Sequence, residues 1–383
     1  VLENLEPAPQ VKMKHQVRAS VEFDGNLGEA TTQGYESEPE NFDEFLLDAG
    51  LNPEDIDVIP PVRTSRWQRY DGEWLTSYRF MFRKKKSNVD LPKLIADSDK
   101  KYKQKKLGKP YPRALVVLWS DLQVGKLDKL GGTDALIERV NQARDSLITK
   151  IMEDKPSKCI FVDLGDTIEG FENKASAQQL YSNDLSLHDQ VDLATTMAWR
   201  TIKTISENVP EVIYASVGSN HCQWRQNGQK IGKATDDWAV FIGRQLARLA
   251  SESGAKNIRF IEPQPDDESL AVDVFEDQYH ILGIVHGHQA SRPEQISTWF
   301  RGQAFGRQPV SHATTLVHGH FHHLRIQELG MTEEGYSRFI VGAPTLDNGS
   351  SWFRNTTGES ATPGLAVFVL EESKPFTGTV WKL

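Results

Sequence analysis

The chain has 383 residues, 38% of them hydrophobic, and a formal net charge of −9. That length suits one large packed domain with a smaller companion, while the acidic balance argues against a generally basic nucleic-acid coat. No apolar run approaches the roughly 20 residues a membrane span needs, and the polar, proline-broken start "VLENLEPAPQVKMKHQ" does not read as a secretory signal, so a cytoplasmic protein with no membrane partner is expected. Cys159 and Cys222, with no C-x-x-C pair, cannot form a disulfide framework, and any metal would be held by His, Asp, Asn or Glu.

In chain order, residues 1–36 lack sustained periodicity and read as a flexible arm. Residues 37–86 read as a small helix and hairpin module. Phe42, Phe45 and Leu46 share one side of a short helix that stops at Gly50, and Asn52 with Pro53 marks a second helix start. Asp71-Gly72 turns a hairpin whose returning strand alternates Tyr78, Phe80 and Phe82 with Ser77, Arg79 and Met81. The module suggests a helix-turn-helix or winged type, and the basic clusters "FRKKK" (82–86) and "KKYKQKKLGKPYPR" (100–113) suggest phosphate-tracking segments, the second within a basic linker over 87–112.

From 113 to 383 the character changes. "ALVVLWSD" (114–121), "KCIFVDLGD" (158–166), "EVIYASVGSNH" (211–221), "QYHILGIVHGH" (278–288) and "TTLVHGHFHH" (314–323) are apolar runs that each end in polar groups. Helical stretches at about 133–154, 187–208 and 234–253 separate the early ones, which predicts a layered α/β domain. The shorter strands "SRFIVGA" and "GLAVFVLEE", after residue 324, suggest a second sheet behind the first. In layered α/β folds the carboxyl ends of strands form the ligand crevice, so the polar ends are expected to converge, as a metal site requires.

The order Asp121-x-Gln123, Gly165-Asp166-x-x-Glu169, Ser219-Asn220-His221, His286-Gly287-His288, Gly319-His320-x-His322 resembles the calcineurin-like metallophosphoesterases, over residues 114–345. The resemblance implies a two-sheet αββα sandwich and two divalent metal ions, manganese first, with iron or zinc as alternatives. It places Asp121, Gln123, Asp166 and His322 around one ion and Asp166, Asn220, His286 and His320 around the other, with a bridging hydroxide as nucleophile and His221 as the catalytic histidine. Two cations about 3.5–4 Å apart need a shared anion, which Asp166 would be. Gly287 and Gly319 would let the chain turn so that the imidazoles aim at one point.

Three positions depart from that pattern. Gln123 stands where the family has histidine, Ser219 where it has glycine, and Cys222 where it has an acidic residue that would orient the histidine, for which Glu169 is the candidate. His288, His318 and His323 read as supporting residues, Asp163 as a strand residue, and Cys222 not as a nucleophile. A His-x-His pair also occurs in zinc amidohydrolases on an early strand; here it comes last.

Trp224 and Arg225, in "HCQWRQNGQKIGK" (221–233), suggest base stacking and phosphate binding, unless Trp224 caps the core. The pattern is similar to the recombination-repair nuclease branch and to phage-encoded members of the family. A phosphodiesterase or nuclease acting on DNA is therefore expected, in the host cytoplasm if phage-encoded. A partner ATPase or a homo-oligomer is compatible with the resemblance. Two alternatives stand beside this: a phosphoesterase acting on nucleotides or phosphoproteins, and a weakly active or inactive nucleic-acid-binding scaffold of the same fold.

Overall fold

The computed structural model describes residues 19–23, 27–84, 90–98, 102–105, 107–172, 183–277, 279–351, 354–355, 358 and 360–383. The chain separates into two compact units, Val1–Lys86 and Ser87–Leu383.

In the first unit, strands β1 (Ser20–Phe23), β2 (Leu27–Thr31), β3 (Ile56–Gln68) and β4 (Trp74–Lys84) form an antiparallel sheet in the order β1-β2-β4-β3. The alternation along β4 decides its faces: Tyr78, Phe80 and Phe82 are buried with Ala30, Phe45, Leu46 and Ile56, while Arg79 and Met81 are exposed. Helix α1 (Asp43–Asp48) packs on that apolar face, with Phe42 stacked on Phe80 at 4.5 Å. The expected second helix is only a one-turn 3₁₀ segment, Pro53–Asp55, capped by the Asn52 side chain. Among its described residues the unit is thus a sheet with one short α-helix, not a helix-turn-helix.

Residues 20–31, expected within the arm, pair as strands because β2 finds its partner in β4, some fifty residues onward, a pairing with no local signal. Several of the unit's arginines are matched by carboxylates. Arg79 meets Glu29, Arg83 lies 3.8 Å from Asp57, and Arg69 contacts Asp71 and Glu36 at 2.6 and 3.3 Å. Lys85, Lys86, Lys100, Lys101 and Lys106 of the two basic clusters lie outside the described residues.

The second unit begins with α2 (Leu91–Ser98), inside the expected linker. Leu91, Leu94 and Tyr102 pack against the main core, and the Tyr102 hydroxyl donates to Asn257 Oδ1 at 2.7 Å and the Ser206 carbonyl at 3.1 Å. Lysine content suggested a solvated linker there, but the spaced apolar residues among the lysines anchor it.

Strands β5 (Tyr111–Trp119), β6 (Pro156–Asp163) and β7 (Glu211–Ser216) alternate with helices α3 (Thr133–Asp154), α4 (Leu187–Asn208) and α5 (Trp238–Ser253). The short hairpin strands β8 (Arg225–Gln226) and β9 (Gln229–Lys230) precede α5, and β10 (Ile258–Ile261) follows it. Strands β11 (Ser269–Asp273), β12 (Ile281–Val285), β13 (Thr315–His318), β14 (Arg325–Met331) and β15 (Ser337–Gly342) come next, with α6 (Ile296–Phe305) before β13. Strands β16 (Ala366–Glu371) and β17 (Val380–Lys382) close the chain.

Besides the β8-β9 hairpin, the described strands form two larger sheets, ordered β10-β7-β6-β5-β16-β17 and β11-β12-β13-β15-β14. Both faces of β5 are buried, which is why its sequence is a continuous apolar run. Leu115, Val117 and Trp119 join the cluster beneath α3, α4 and α5, whereas Val116 and Leu118 meet Ile284, Val317 and Val341 of the other sheet. Ile296 and Phe300 of α6 bury the outer face of the second sheet. The architecture is the layered αββα sandwich that was expected, with one change in its composition. The second sheet starts at Ser269 and contains the two histidine-bearing strands, while β16 returns to pair antiparallel with β5 in the first. An apolar run carries no information about which sheet it joins.

The registers bring the strand ends level. Trp119 faces Asp163, and Asp163 faces Ser216, in the first sheet; Val285 faces His318, and His318 faces Gly342, in the second. Polar loops from both sheets therefore meet along one edge. Among the described residues no helix is long and apolar enough to cross a membrane.

Candidate metal centre

Five of the residues singled out from the sequence adopt left-handed backbone conformations without being glycine: Asp121 (φ 50°), Gln123 (46°), Asp166 (48°), His320 (70°) and His322 (59°). Such conformations are disfavoured by about 1–3 kcal/mol each and persist only where the surroundings impose them. Here the loops are laced together. Asp121 N donates to the Gly165 carbonyl at 3.0 Å, Gln123 N to that of Asp166 at 2.9 Å, and Gly319 N to that of His286 at 2.8 Å. Gly287, at φ 116°, uses glycine's freedom directly. Gly319 does not; it is needed because a Cβ there would land on the Asp121 carboxylate and the Ser120 hydroxyl.

Asp166 is fully enclosed. Its amide donates to Ser219 Oγ at 2.7 Å, its Oδ1 accepts from His221 N at 2.8 Å, and its Oδ2 lies 3.1 Å from His286 Nε2. Serine in place of glycine at 219 thus supplies the acceptor that holds the Asp166 turn. Burial opposes ionisation of Asp166, but the His286 and His221 rings hold its carboxyl well below the usual range.

His286 Nδ1 lies 2.7 Å from the Leu164 carbonyl, to which it donates, leaving Nε2 to face Asp166 Oδ2 and, at 3.0 Å, Asn220 Oδ1. Nε2 can donate a proton to these oxygens or, once deprotonated, join them as an electron-pair donor to a cation. Burial disfavours a charged His286, yet Asp166 pushes its pKa up to about 9. His320 completes the group, its ligand atom within 4.8 Å of those of Asp166 and His286. Burial, with the charge of His286, pushes the His320 pKa down to about 3 and so keeps that ring neutral and able to ligate. Asp166, Asn220, His286 and His320 thus make a donor set that fits a divalent cation of the manganese, iron or zinc kind.

The other residues of the expected binuclear set are arranged differently. His322 Nε2 lies 3.3 Å from Asp121 Oδ1 and its Nδ1 3.4 Å from Asp347 Oδ2. Burial disfavours the charged His322 ring, but these two carboxylates push it up to about 10. Asp121 also receives the His320 amide, at 3.1 and 3.0 Å from its two oxygens, and the Ser120 hydroxyl. Gln123 presents its amide nitrogen, not its oxygen: Nε2 lies 3.3 Å from His221 Nε2, while Oε1 accepts from the buried Lys126 ammonium. Lys126 Nζ also donates to Asp347 Oδ2 at 2.8 Å.

Neither Lys126 nor Asp347 was singled out from the sequence. Asp347 had a readable signal, since it follows "FIVGAPTL", another apolar strand that runs into a polar group. For Lys126, a lone lysine in "DLQVGK", there was none.

Around this edge, His221 Nδ1 lies 3.4 Å from Glu169 Oε2 and 3.1 Å from the Glu169 carbonyl, so Glu169 occupies the orienting position. Burial disfavours its charged form, but Asp166 and Glu169 push the His221 pKa up to about 9. Cys222 is buried, which pushes its thiol well up and leaves it unsuited to attack. His318 is buried with Nδ1 2.8 Å from the Gly319 carbonyl, and His323 Nδ1 lies 2.7 Å from that of Phe321. His288 Nε2 lies 3.6 Å from Glu268.

Trp224 is 54% exposed. One face of its ring stacks on Trp238 at 5.7 Å, and Ile231 and Phe241 are exposed as well. Arg225 is turned inward, donating to the Gly228 carbonyl at 2.9 Å and Gln223 Oε1 at 2.6 Å, and so fastens the hairpin. Lys230 ties that hairpin to Glu268 at 2.6 Å, and Glu268 in turn accepts from Gln289 at 3.0 Å, beside the His286 loop.

No family model matches the chain, and no curated protein matches it. Among solved structures it is similar to a conserved uncharacterised protein, a predicted phosphoesterase, from Streptococcus pneumoniae TIGR4, at 10% identity and a TM-score of 0.27, over 71% of this chain and 97% of that one. It is also similar to a novel phosphatase from Mycoplasma pneumoniae, at 11% identity and a TM-score of 0.28, over 70% and 90% of the respective chains. Both likenesses are remote; the side chains themselves carry the chemistry.

Proposed function

We propose that the chain is a metal-dependent phosphoesterase that hydrolyses phosphodiesters, with single-stranded DNA as the preferred substrate. The observation that carries this is the convergence of His286 Nε2, Asp166 Oδ2 and Asn220 Oδ1, with His320, beside a histidine that is not part of the cluster. The order of motifs resembling the calcineurin-like metallophosphoesterases supports the same reading. A divalent cation bound there supplies positive charge to a phosphoryl group and lowers the pKa of adjacent water.

The chain's own residues do the rest. Glu169 fixes His221 through Nδ1, so that Nε2 faces the edge of the site. In its charged form His221 is a donor at Nε2, and Gln123 Nε2, 3.3 Å away, is a second donor. Both N–H groups can turn to donate to one acceptor lying in front of the pair, and a phosphoryl oxygen is the one this reaction brings. His221 can then pass its Nε2 proton to the departing ester oxygen. The open ring of Trp224, backed by Trp238, supports base stacking and hence a nucleic-acid substrate.

The test offers manganese-loaded protein bis-p-nitrophenyl phosphate, p-nitrophenyl phosphate, and single- and double-stranded DNA. Diester and DNA cleavage is expected to stop with chelator and to fall by about 10²- to 10⁴-fold in His221→Ala. Trp224→Ala is expected to weaken single-stranded DNA binding by about 1–3 kcal/mol while sparing the small diester. Hydrolysis of the monoester alone would replace this reading with a nucleotide or phosphoprotein phosphatase. DNA binding without turnover in any metal would leave a scaffold.

Cation uptake is expected to depend on pH. His286, at about 9 in the metal-free protein, must lose its proton to ligate, so affinity for Mn²⁺ should rise about tenfold per pH unit from 7 towards 9 and level off above. Calorimetry in buffers of different ionisation enthalpy reads the released proton; a flat profile would remove His286 from the ligand set.

A further inference from the structure

The two sides of the centre differ in what occupies them. On one side, Asp166, Asn220 and His286 converge with His320 beside them, four side chains able to give electron pairs to one cation. On the other, a cation is already built into the chain. Lys126, 8% exposed, places its ammonium 2.8 Å from Asp347 Oδ2 and on Gln123 Oε1, and Asp347 Oδ2 is also the oxygen that approaches His322 Nδ1 at 3.4 Å.

Given the metal-dependent reading above, on which this rests, we propose that the centre takes one divalent cation per chain, held by Asp166, Asn220, His286 and His320, and that the Lys126 ammonium replaces the second. Three observations carry this. First, among the described residues the only trio of His, Cys, Asp or Glu ligand atoms that close on one another within 4.8 Å is Asp166, His286 and His320; Asp121 and His322 form a pair. Such ions take four to six donors, so a pair is too few.

Second, the residue that would supply the third donor cannot. Lys126 has donors only, so the atom of Gln123 that it meets must be the oxygen. The nitrogen is thereby turned towards His221, and an amide N–H₂ does not bind a cation. Rotating the amide would set its N–H₂ against the ammonium, donor against donor. Third, Asp121 already accepts from the His320 amide and the Ser120 hydroxyl, leaving it less able to gather an ion alone. A divalent ion here would also meet the repulsion of an ammonium that burial keeps from being screened.

Gln123 therefore reads as a hydrogen-bond donor to the site and not a ligand, with Lys126 as the positioning residue that orients it. Glutamine at this position and a buried lysine three residues later form one device.

The test needs no activity. The protein is stripped with chelator, reloaded with Mn²⁺ and freed of excess, and its metal content and electron paramagnetic resonance spectrum are recorded. The expected result is one manganese per chain with the six-line spectrum of an isolated ion. Two per chain, or an exchange-coupled spectrum, would overturn the inference while leaving a metal-dependent enzyme standing. No stoichiometric manganese, iron or zinc would overturn both.

Two variants sharpen the outcome. Gln123→His alone keeps the ammonium and is expected to stay at one ion; a rise to two would show that Lys126 does not exclude the second. Gln123→His combined with Lys126→Ala removes the charge and adds an imidazole beside Asp121 and His322, and is expected to bind two. If that protein folds and still binds one, the inference also fails.

Discussion

Asp166→Asn is expected to fold and to lose its divalent cation, and diester hydrolysis with it. The two groups contacting the carboxylate oxygens determine how the amide sits. His221 N–H requires an acceptor, so the amide oxygen stays where Oδ1 was, and the amide nitrogen replaces Oδ2, 3.1 Å from His286 Nε2. His286, no longer beside a negative charge, becomes neutral and accepts that N–H. The variant therefore ties up in an internal hydrogen bond the lone pair that would otherwise ligate the metal. Its cation affinity should fall by more than the 10- to 100-fold that changes around a ligand produce, about 10³-fold or beyond. Thermal stability in chelator should stay near that of the parent, because the hydrogen bonds are kept. Calorimetric titration with Mn²⁺ checks this, and a variant with full metal content would show that Asp166 is not a ligand.

Asp347→Ala should give the largest loss of stability at the site. It leaves the buried Lys126 ammonium with only the Gln123 oxygen, and removes the carboxylate at His322 Nδ1. Breaking one partner of a buried ion pair is destabilising by about 3–5 kcal/mol, because the other charge stays buried. Lys126→Met combined with Asp347→Leu, which removes both charges, should recover most of that.

The pH sense follows from Asp347, whose pKa burial would raise but Lys126 and His322 hold far below its usual value. A depressed carboxylate contributes stability that is present above its unfolded pKa, about 3.9, and is lost as pH falls below it. The gap between parent and Asp347→Ala should thus be full at pH 7 and shrink in acid. Urea unfolding at several pH values reads it; a gap below about 1 kcal/mol at pH 7 would mean that the pair carries little.

Features that depend on neighbours in the chain were legible in the sequence. Helices α3 and α4 span 133–154 and 187–208, the ranges that periodicity predicts, and Ser186 caps α4 with its hydroxyl accepting from Asp189 N. The apolar runs that end in Asp121, Asp166, Asn220, His286 and His320 were visible because burial on both faces leaves an uninterrupted run, and a polar group at its end has no other reason to be there. Glycine at 287 and serine at 219 were readable as departures or turns, though not what each touches.

Only the tertiary structure decided what depends on residues far apart. Strands β12 and β13 joined the second sheet and β16 the first, since both offer the same apolar faces. Leu91 and Tyr102 found a core to anchor an apparent linker. Lys126 met Asp347, 221 positions away. The nature of residue 123 was known from the start as an amide, but an amide has an oxygen and a nitrogen at the same distance along the chain. Which of them faces the site was set by an ammonium that the fold, not the local sequence, put on its other side.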